Sequence, residues 1–193
     1  MSKSVGRPRS AEADKAIIKA ASHLFCHQPF ADISMEAIAQ RAGISKATLY
    51  RRWPNKPTLA VEVLVRAALA KSRSFADLSY REHLIRNLQA LRDMLASPYA
   101  AVLVSLIAQA QHDTVLRDVL YQQFLKPIQA VGDADLAEAI KRGEITADID
   151  KDLLFDQLFG FFYYRMLVAH KEVKDAEIEH IVDAFFIVAA AML

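Results

Sequence analysis

The sequence predicts an all-α protein, and three observations carry that expectation. Apolar residues recur at three- and four-residue spacings along most of the chain, and alternating Val/Ile/Thr runs joined by turn pairs are absent. Glycine is scarce, 5 in 193 residues, while 53% of the chain is hydrophobic, which suits packed helices. That length buries a proper core, as one medium domain or as a small domain joined to a larger one.

The elements follow in order. Residues 1–9 have Gly6, Pro8 and no apolar pattern, and disorder is expected there. A first helix is expected from about Ala11 to His27, with Ile17, Ile18, Ala20, Ala21, Leu24 and Phe25 on its inner face. Pro29 ends it, because the residue before a proline avoids the α region. Ser34 caps a second, short helix by accepting from its free backbone N–H groups. Gly43 stands where that helix must stop, a position that often needs φ > 0. Ser45 caps a third helix beginning at Lys46. Two short helices joined by such a turn make a helix-turn-helix, whose second helix lies in the DNA major groove.

Trp53-Pro54-Asn55-Lys56-Pro57 reads as a turn. A fourth helix starts at Pro57, a favourable first helical residue, and runs to about Arg73 on a stripe of Leu59, Val63, Ala67 and Ala70. A helix from about Tyr80 to Ala96 turns Leu84, Leu88, Leu91 and Leu95 inward. The next, about Tyr99 to Gln111, is apolar nearly all round and is expected at the centre of the core. Asp113 caps another, to about Leu125; Pro127 and Gly132-Asp133 are expected to interrupt or kink the stretch that ends at Gly143. Two long helices, about 151–169 and 175–192, close a chain of about nine helices.

Charge divides the chain. Residues 1–60 hold 10 Lys/Arg against 4 Asp/Glu, and the remainder holds 14 against 19. A basic head on an acidic body suits a polyanion partner for the head alone. The single cysteine, Cys26, excludes an intramolecular disulfide and fits a reducing cytoplasm. The start of the chain lacks the apolar core of a signal peptide, and no apolar run reaches the roughly 20 residues that span a bilayer. A cytoplasmic protein without a membrane partner is expected.

Within the head, Lys46 and Ala47 open the recognition helix. A lysine donates to guanine O6 and N7, and a small apolar side chain meets a thymine methyl. Thr48, Tyr50 and the caps Ser34 and Ser45 offer hydroxyls or helix-end N–H groups to phosphates. Lys56 can neutralise a further phosphate. Of Arg51 and Arg52, one can face phosphate and the other solvent, in an order the sequence leaves open. Trp53 reads as core, and Tyr50 as either core or a phosphate contact. Arg7 and Arg9, in Gly6-Arg7-Pro8-Arg9, suit either an extended arm in a narrow minor groove or a solubilising tail.

Ala20-Ala21-Ser22-His23-Leu24-Phe25, Ile38-Ala39, Ala42-Gly43-Ile44-Ser45-Lys46-Ala47-Thr48-Leu49-Tyr50 and Asn55-Lys56-Pro57-Thr58-Leu59 together closely resemble the DNA-binding domain of the TetR family of bacterial transcriptional regulators. Tyr50-Arg51-Arg52-Trp53-Pro54 looks like one branch of it. Arg142-Gly143-Glu144-Ile145 and Phe159-Gly160-Phe161-Phe162-Tyr163-Tyr164-Arg165 resemble, more weakly, the C-terminal domain of that branch. The family usually has glycine after helix 1, where this chain has Pro29, so that turn must be built differently. The resemblance implies a basic arm over 1–12, a helix-turn-helix domain over 13–57 and a helical effector-binding and dimerisation domain over 58–193. It implies a regulator, usually a repressor, that holds a palindromic operator in double-stranded DNA and is released by a small-molecule effector.

Helix-turn-helix proteins usually pair, so that two recognition helices reach successive major grooves. The last two helices offer the apolar surface for a four-helix homodimer interface: Leu154, Leu158, Phe161, Phe162 and Arg165 on one, Ile178, Ile181, Val182, Phe185, Ala189 and Met192 on the other. Some of these must instead be internal core. The effector pocket rests on the resemblance; Met94, Tyr99, Phe124, Phe155, Phe159 and Tyr163 are its candidate lining. His23, Cys26 and His27 share a helix face, but no second ligand cluster accompanies them, so no metal is expected. Glu177 and His180 form one Glu-x-x-His step where a di-iron bundle needs two. Without a phosphate-cradling loop or a nucleophile motif, neither a cofactor nor catalytic residues are expected. An architectural DNA-binding protein is the alternative, and a helical-bundle enzyme a remote one.

Overall fold

The computed structural model describes residues 8–70, 78–146 and 149–191, with backbone alone for 8–10 and 188–191. Ten α-helical segments and no strand occur among the described residues: α1 (Pro8–His27), α2 (Met35–Ala42), α3 (Lys46–Tyr50), α4 (Lys56–Leu69), α5 (Tyr80–Leu95), α6 (Tyr99–Ala110), α7 (Thr114–Leu120), α8 (Lys126–Lys141), α9 (Lys151–Phe162) and α10 (Asp175–Ala191). A wide π-helical turn, Tyr121–Leu125, joins α7 to α8, so these two form one bent rod and nine rods result. A second π-helical stretch, Tyr163–Val168, extends α9.

Local chemistry sets most boundaries. Side chains of Asn55, Ser79, Asp113 and Asp150 accept from the first turns of α4, α5, α7 and α9. Ser79 and Glu82 complete a reciprocal capping box. Gly143 closes α8 at φ 72, with Gly143 N–H bonded to Ile140 O and Glu144 N–H to Ala139 O, the paired bonds of a Schellman stop.

Three expectations are corrected. The first helix begins at Pro8 rather than Ala11, so of the expected arm 1–12, residues 8–12 are helical and 1–7 lie outside the described residues. Gly132 does not break α8, which runs through it unbroken. Pro127 does mark the irregularity: its ring cannot donate to, and crowds, the carbonyl of Gln123, which lies inside the π turn. The central helix is α4, not α6. On α4, Leu59, Ala60, Val61, Val63 and Leu64 are all fully buried. On α6, Val102, Leu103 and Leu106 pack inward while Val104 and Ile107 are exposed.

The core is continuous from the head (Ile17, Ile38, Leu49) through α4 (Leu59, Leu64) into the body (Leu103, Phe162, Ile178). At the far side α10 lies on α5. Arg81 makes a two-pronged ion pair with Asp183, 2.7 and 3.1 Å, and Arg92 pairs with Asp175. No single helix among the described residues is long and apolar enough to cross a membrane.

Candidate functional site

The head's helix-turn-helix rests on two caps and a left-handed glycine. Ser34 Oγ accepts from Ala37 N at 3.1 Å and starts α2. Gly43 ends it at φ 67, ψ 32, with Gly43 N–H on Gln40 O and Ile44 N–H on Ala39 O. Only glycine takes that φ without steric cost. Ser45 Oγ then accepts from Thr48 N at 3.2 Å and shares a 2.9 Å bond with the Thr48 hydroxyl, which starts α3. Buried Ile38, Leu49 and Trp53 hold α2 and α3 against α1.

This packing turns Ser34, Ser45, Lys46, Ala47, Tyr50 and Arg51 outward, with Thr48 half-buried. They form one exposed patch around the start of α3. One carboxylate sits in it: Glu36 Oε1 lies 3.4 Å from Lys46 Nζ and accepts from the Tyr50 hydroxyl at 3.4 Å. Its own backbone N–H and the Lys46 ammonium hold the Glu36 carboxyl below the usual carboxylate range. Sequence reasoning did not single out Glu36; its place in the first turn of α2 is an ordinary helix-dipole position, so nothing marked it.

Two other cations are engaged inside the protomer. Arg52 turns inward onto Asp14 of α1, 2.9 Å away, so it takes neither the phosphate-facing nor the solvent-facing place expected of it, and Arg51 is the exposed arginine of the two. Lys56 Nζ donates to the carbonyls of Phe30 (2.5 Å) and Ala31 (3.2 Å) and lies 4.5 Å from the centre of the Phe30 ring. Those carbonyls belong to the turn that follows Pro29, one turn of 3₁₀ helix (Phe30–Asp32) entered at φ −55, ψ 135. Lys56 therefore braces the structure that replaces the usual glycine turn. Partial burial pushes its ammonium pKa down, against the pull of Asp32. Arg9 is helical in backbone, which removes the extended arm at that residue; its side chain, like all of Arg7, lies outside the described residues.

Trp53 connects the recognition element to α4. Its ring is buried, and Nε1 donates to Glu62 Oε2 at 2.7 Å; Glu62 in turn holds Arg66, 2.6 Å away, one turn further along α4. The other end of α4 reaches the body's cavity. That cavity has a volume of about 140 Å³ and lies between α4, α5, α8 and α9. Ala68 and Leu69 of α4 line it, as do Met94, Phe124, Phe155, Phe159 and Tyr163 of the six residues expected to. Tyr99 does not: its hydroxyl faces Ser22 and Cys26 of α1, at the seam between head and body.

Polar groups gather at one end of the cavity. His83 is 1% exposed; its Nε2 lies 2.7 Å from Asp135 Oδ2 and 2.8 Å from Asn87 Nδ2. Asp133 stands beside them, paired at 3.1 Å with Lys151. At the opposite, apolar end, Tyr163 makes no hydrogen bond among the described residues, and burial pushes its phenol up to about 12. Among the described residues no group of His, Cys, Asp or Glu is arranged to hold a metal ion.

The expected interface between protomers needs correction. Leu154, Leu158, Phe162, Ile178, Val182 and Phe185 are buried within the protomer, and Leu154 and Leu158 line the cavity. Phe161, Arg165 and Ile181 are half-buried, and Arg165 pairs with Glu177. The Ala189 side chain and Met192 lie outside the described residues. The large apolar groups exposed on α9, its π-helical extension and α10 are Leu153, Tyr164, Val168 and Ile187. Both faces of these helices are apolar, so periodicity alone could not separate internal core from free surface.

Comparison with known proteins agrees with this architecture. The family model "Bacterial regulatory proteins, tetR family" matches residues 17–63, and "Tetracyclin repressor-like, C-terminal domain" matches residues 78–185. The chain is 30% identical to a DNA-binding transcriptional repressor TetR of Mycobacteroides abscessus, over 95% of this chain and 94% of that one. It is 28% identical to an uncharacterized HTH-type transcriptional regulator, YdeS, of Bacillus subtilis, over 92% and 89%. The crystal structure of the TetR family transcription regulator SCO0332 superposes with a TM-score of 0.81 at 29% identity, covering 91% of this chain and 97% of that one.

Proposed function

The chain belongs to the TetR family of bacterial transcriptional regulators, and on that premise we propose that it holds a palindromic operator as a homodimer and releases it when a small molecule fills the cavity. As a member of this family it is a DNA-binding regulator and not an enzyme. The finer reading adds the state of assembly, the ligand and the direction of control, which is repression, relieved by ligand.

The observation that carries this reading is the span of α4. Its first turn braces the Phe30 turn through Lys56, its middle holds Trp53 through Glu62, and its last residues line the cavity. A 14-residue helix is about 21 Å long and moves as a rod, so a shift at Leu69 is felt at Trp53. A ligand that needs more room than the cavity gives favours a different tilt of α4, and its effect is bounded by its preference for that state. An architectural role without ligand leaves the cavity without a use.

Lys46 and Ala47 are proposed to read base edges, and Ser34, Ser45, Thr48, Tyr50 and Arg51 to contact phosphate. The proposed dimer face is the apolar strip of Leu153 and Phe161 on α9 and Tyr164 and Val168 on its π-helical extension, with Ile181, Ala184 and Ile187 on α10. Pairing there sets two recognition helices one helical turn of DNA apart, about 34–36 Å.

A fluorescence-anisotropy titration of an inverted repeat from the DNA flanking the gene, against a scrambled duplex, tests this. The expected outcome is a preference of roughly a thousandfold or more, with two protomers per repeat. Equal affinity for both duplexes overturns the operator reading.

A further inference from the structure

We propose that the cavity takes a small aromatic amine, its ring against Phe124, Phe155 and Phe159 and its ammonium on Asp135. This rests on reading the cavity as the effector site and adds the chemistry of its occupant.

Size comes first. A cavity of about 140 Å³ is close to the roughly 150 Å³ known to hold a benzene-sized guest, so a single ring with a short tail fills it. The walls favour a ring. Phe155 and Phe159 are stacked at 4.0 Å between centroids, and Phe124, Leu91 and Met94 complete an apolar end. Aromatic guests add offset or edge contacts to simple burial there.

The polar end is acidic and only partly satisfied. Asp133 is balanced by Lys151, whose side chain is 55% exposed and belongs to the rim. Asp135 is 18% exposed, and Oδ2 is taken by His83. Its other oxygen, Oδ1, makes no hydrogen bond among the described residues. Glu144, nearby, accepts from the Tyr80 backbone N–H and is balanced by Arg142, 3.3 Å away, so Asp135 is the carboxylate left to face a cation. The Tyr80 phenol, also in the lining, is pushed above its ordinary range by burial and then by Asp135 and Asp133, as a negative neighbourhood requires. An ammonium brings donors and positive charge to a half-used carboxylate; a ligand carboxylate brings repulsion.

The test is binding to the full chain at pH 8, measured by calorimetry, with three probes of one shape: 2-phenylethylamine, 2-phenylethanol and phenylacetate. The expected order is amine, then alcohol, then carboxylate. Asp135→Asn should weaken the amine by ~10- to 100-fold, as loss of a charge-assisted bond does, and leave the alcohol within a few-fold. Because the three probes are also ranked on the unaltered protein, the test survives a poorly folded variant. Phenylacetate binding as tightly as the amine, no binding of any probe, or an amine indifferent to Asp135→Asn overturns the proposal. A parallel titration of operator DNA separates the two readings. Amine that binds but leaves DNA affinity unchanged supports the chemistry and removes the switch; phenylacetate that binds and releases DNA does the reverse.

Discussion

Glu36 lies between the Lys46 ammonium and the Tyr50 hydroxyl, the two outward groups best suited to DNA. Each must leave that carboxylate to reach a base edge or a phosphate. Removing the negative charge should therefore raise affinity for any duplex: Glu36→Gln is expected to tighten scrambled and cognate DNA alike by a few-fold, measured by anisotropy at low salt. Its depressed pKa keeps the carboxylate charged through neutral pH, so this effect should hold unchanged from pH 6 to pH 8. Lys46→Ala should act differently, weakening the cognate repeat by about tenfold while leaving scrambled DNA nearly unaffected. Equal losses on both would remove Lys46 from base reading. Lys56 has a separate role. Lys56→Met leaves the Phe30 and Ala31 carbonyls without their donor and should destabilise the protein by about 1–3 kcal/mol in the absence of DNA, read from denaturant unfolding.

At the scale of elements, α10 is tied to α5 by Arg81–Asp183 and Arg92–Asp175. The partner guanidinium holds each carboxyl below its ordinary value. A depressed carboxylate contributes stability that is present above its unfolded pKa and disappears as pH falls through the folded one. The melting temperature should therefore drop on acidification below about pH 4, and the double variant Asp175→Asn/Asp183→Asn should lower it at pH 7 and flatten the acid drop. An unaltered acid profile in that variant would assign the drop to other carboxylates. Elements set by neighbouring residues were legible in the sequence: Ser34, Gly43 and Ser45 fix α2 and α3 through caps and a single φ, and all act within four residues. Five of the six residues expected at a pocket do border the cavity, but the pocket itself was implied only by the family resemblance, and aromatic spacing alone does not separate cavity lining from packed core. Inward-facing ion pairs were not. Arg52–Asp14 and the Lys56 brace join segments 25 or more residues apart, and no local pattern distinguishes such a cation from one that meets phosphate. Gly132 misled for a related reason: a glycine costs a helix only about 1 kcal/mol, which packing around the cavity offsets.

For the whole molecule, the proposed regulation needs two protomers and one moving rod. The exposed strip on α9 and its extension and on α10 is the surface proposed for pairing. Tyr164→Glu combined with Ile187→Glu should convert dimer to monomer in analytical ultracentrifugation and remove operator binding, with helicity by circular dichroism unchanged. A dimer that survives both charges would place the interface elsewhere. The rod is α4, with its core face fully buried, its middle on Trp53 and its last residues in the cavity. The most direct test fills the cavity without a ligand. Ala90 lines it from α5, and Ala90→Trp puts an indole where the effector would lie. This variant should melt within a few degrees of the unaltered protein yet bind the inverted repeat at least tenfold more weakly in anisotropy. A folded Ala90→Trp dimer that holds the repeat at full affinity would contradict the proposed regulation.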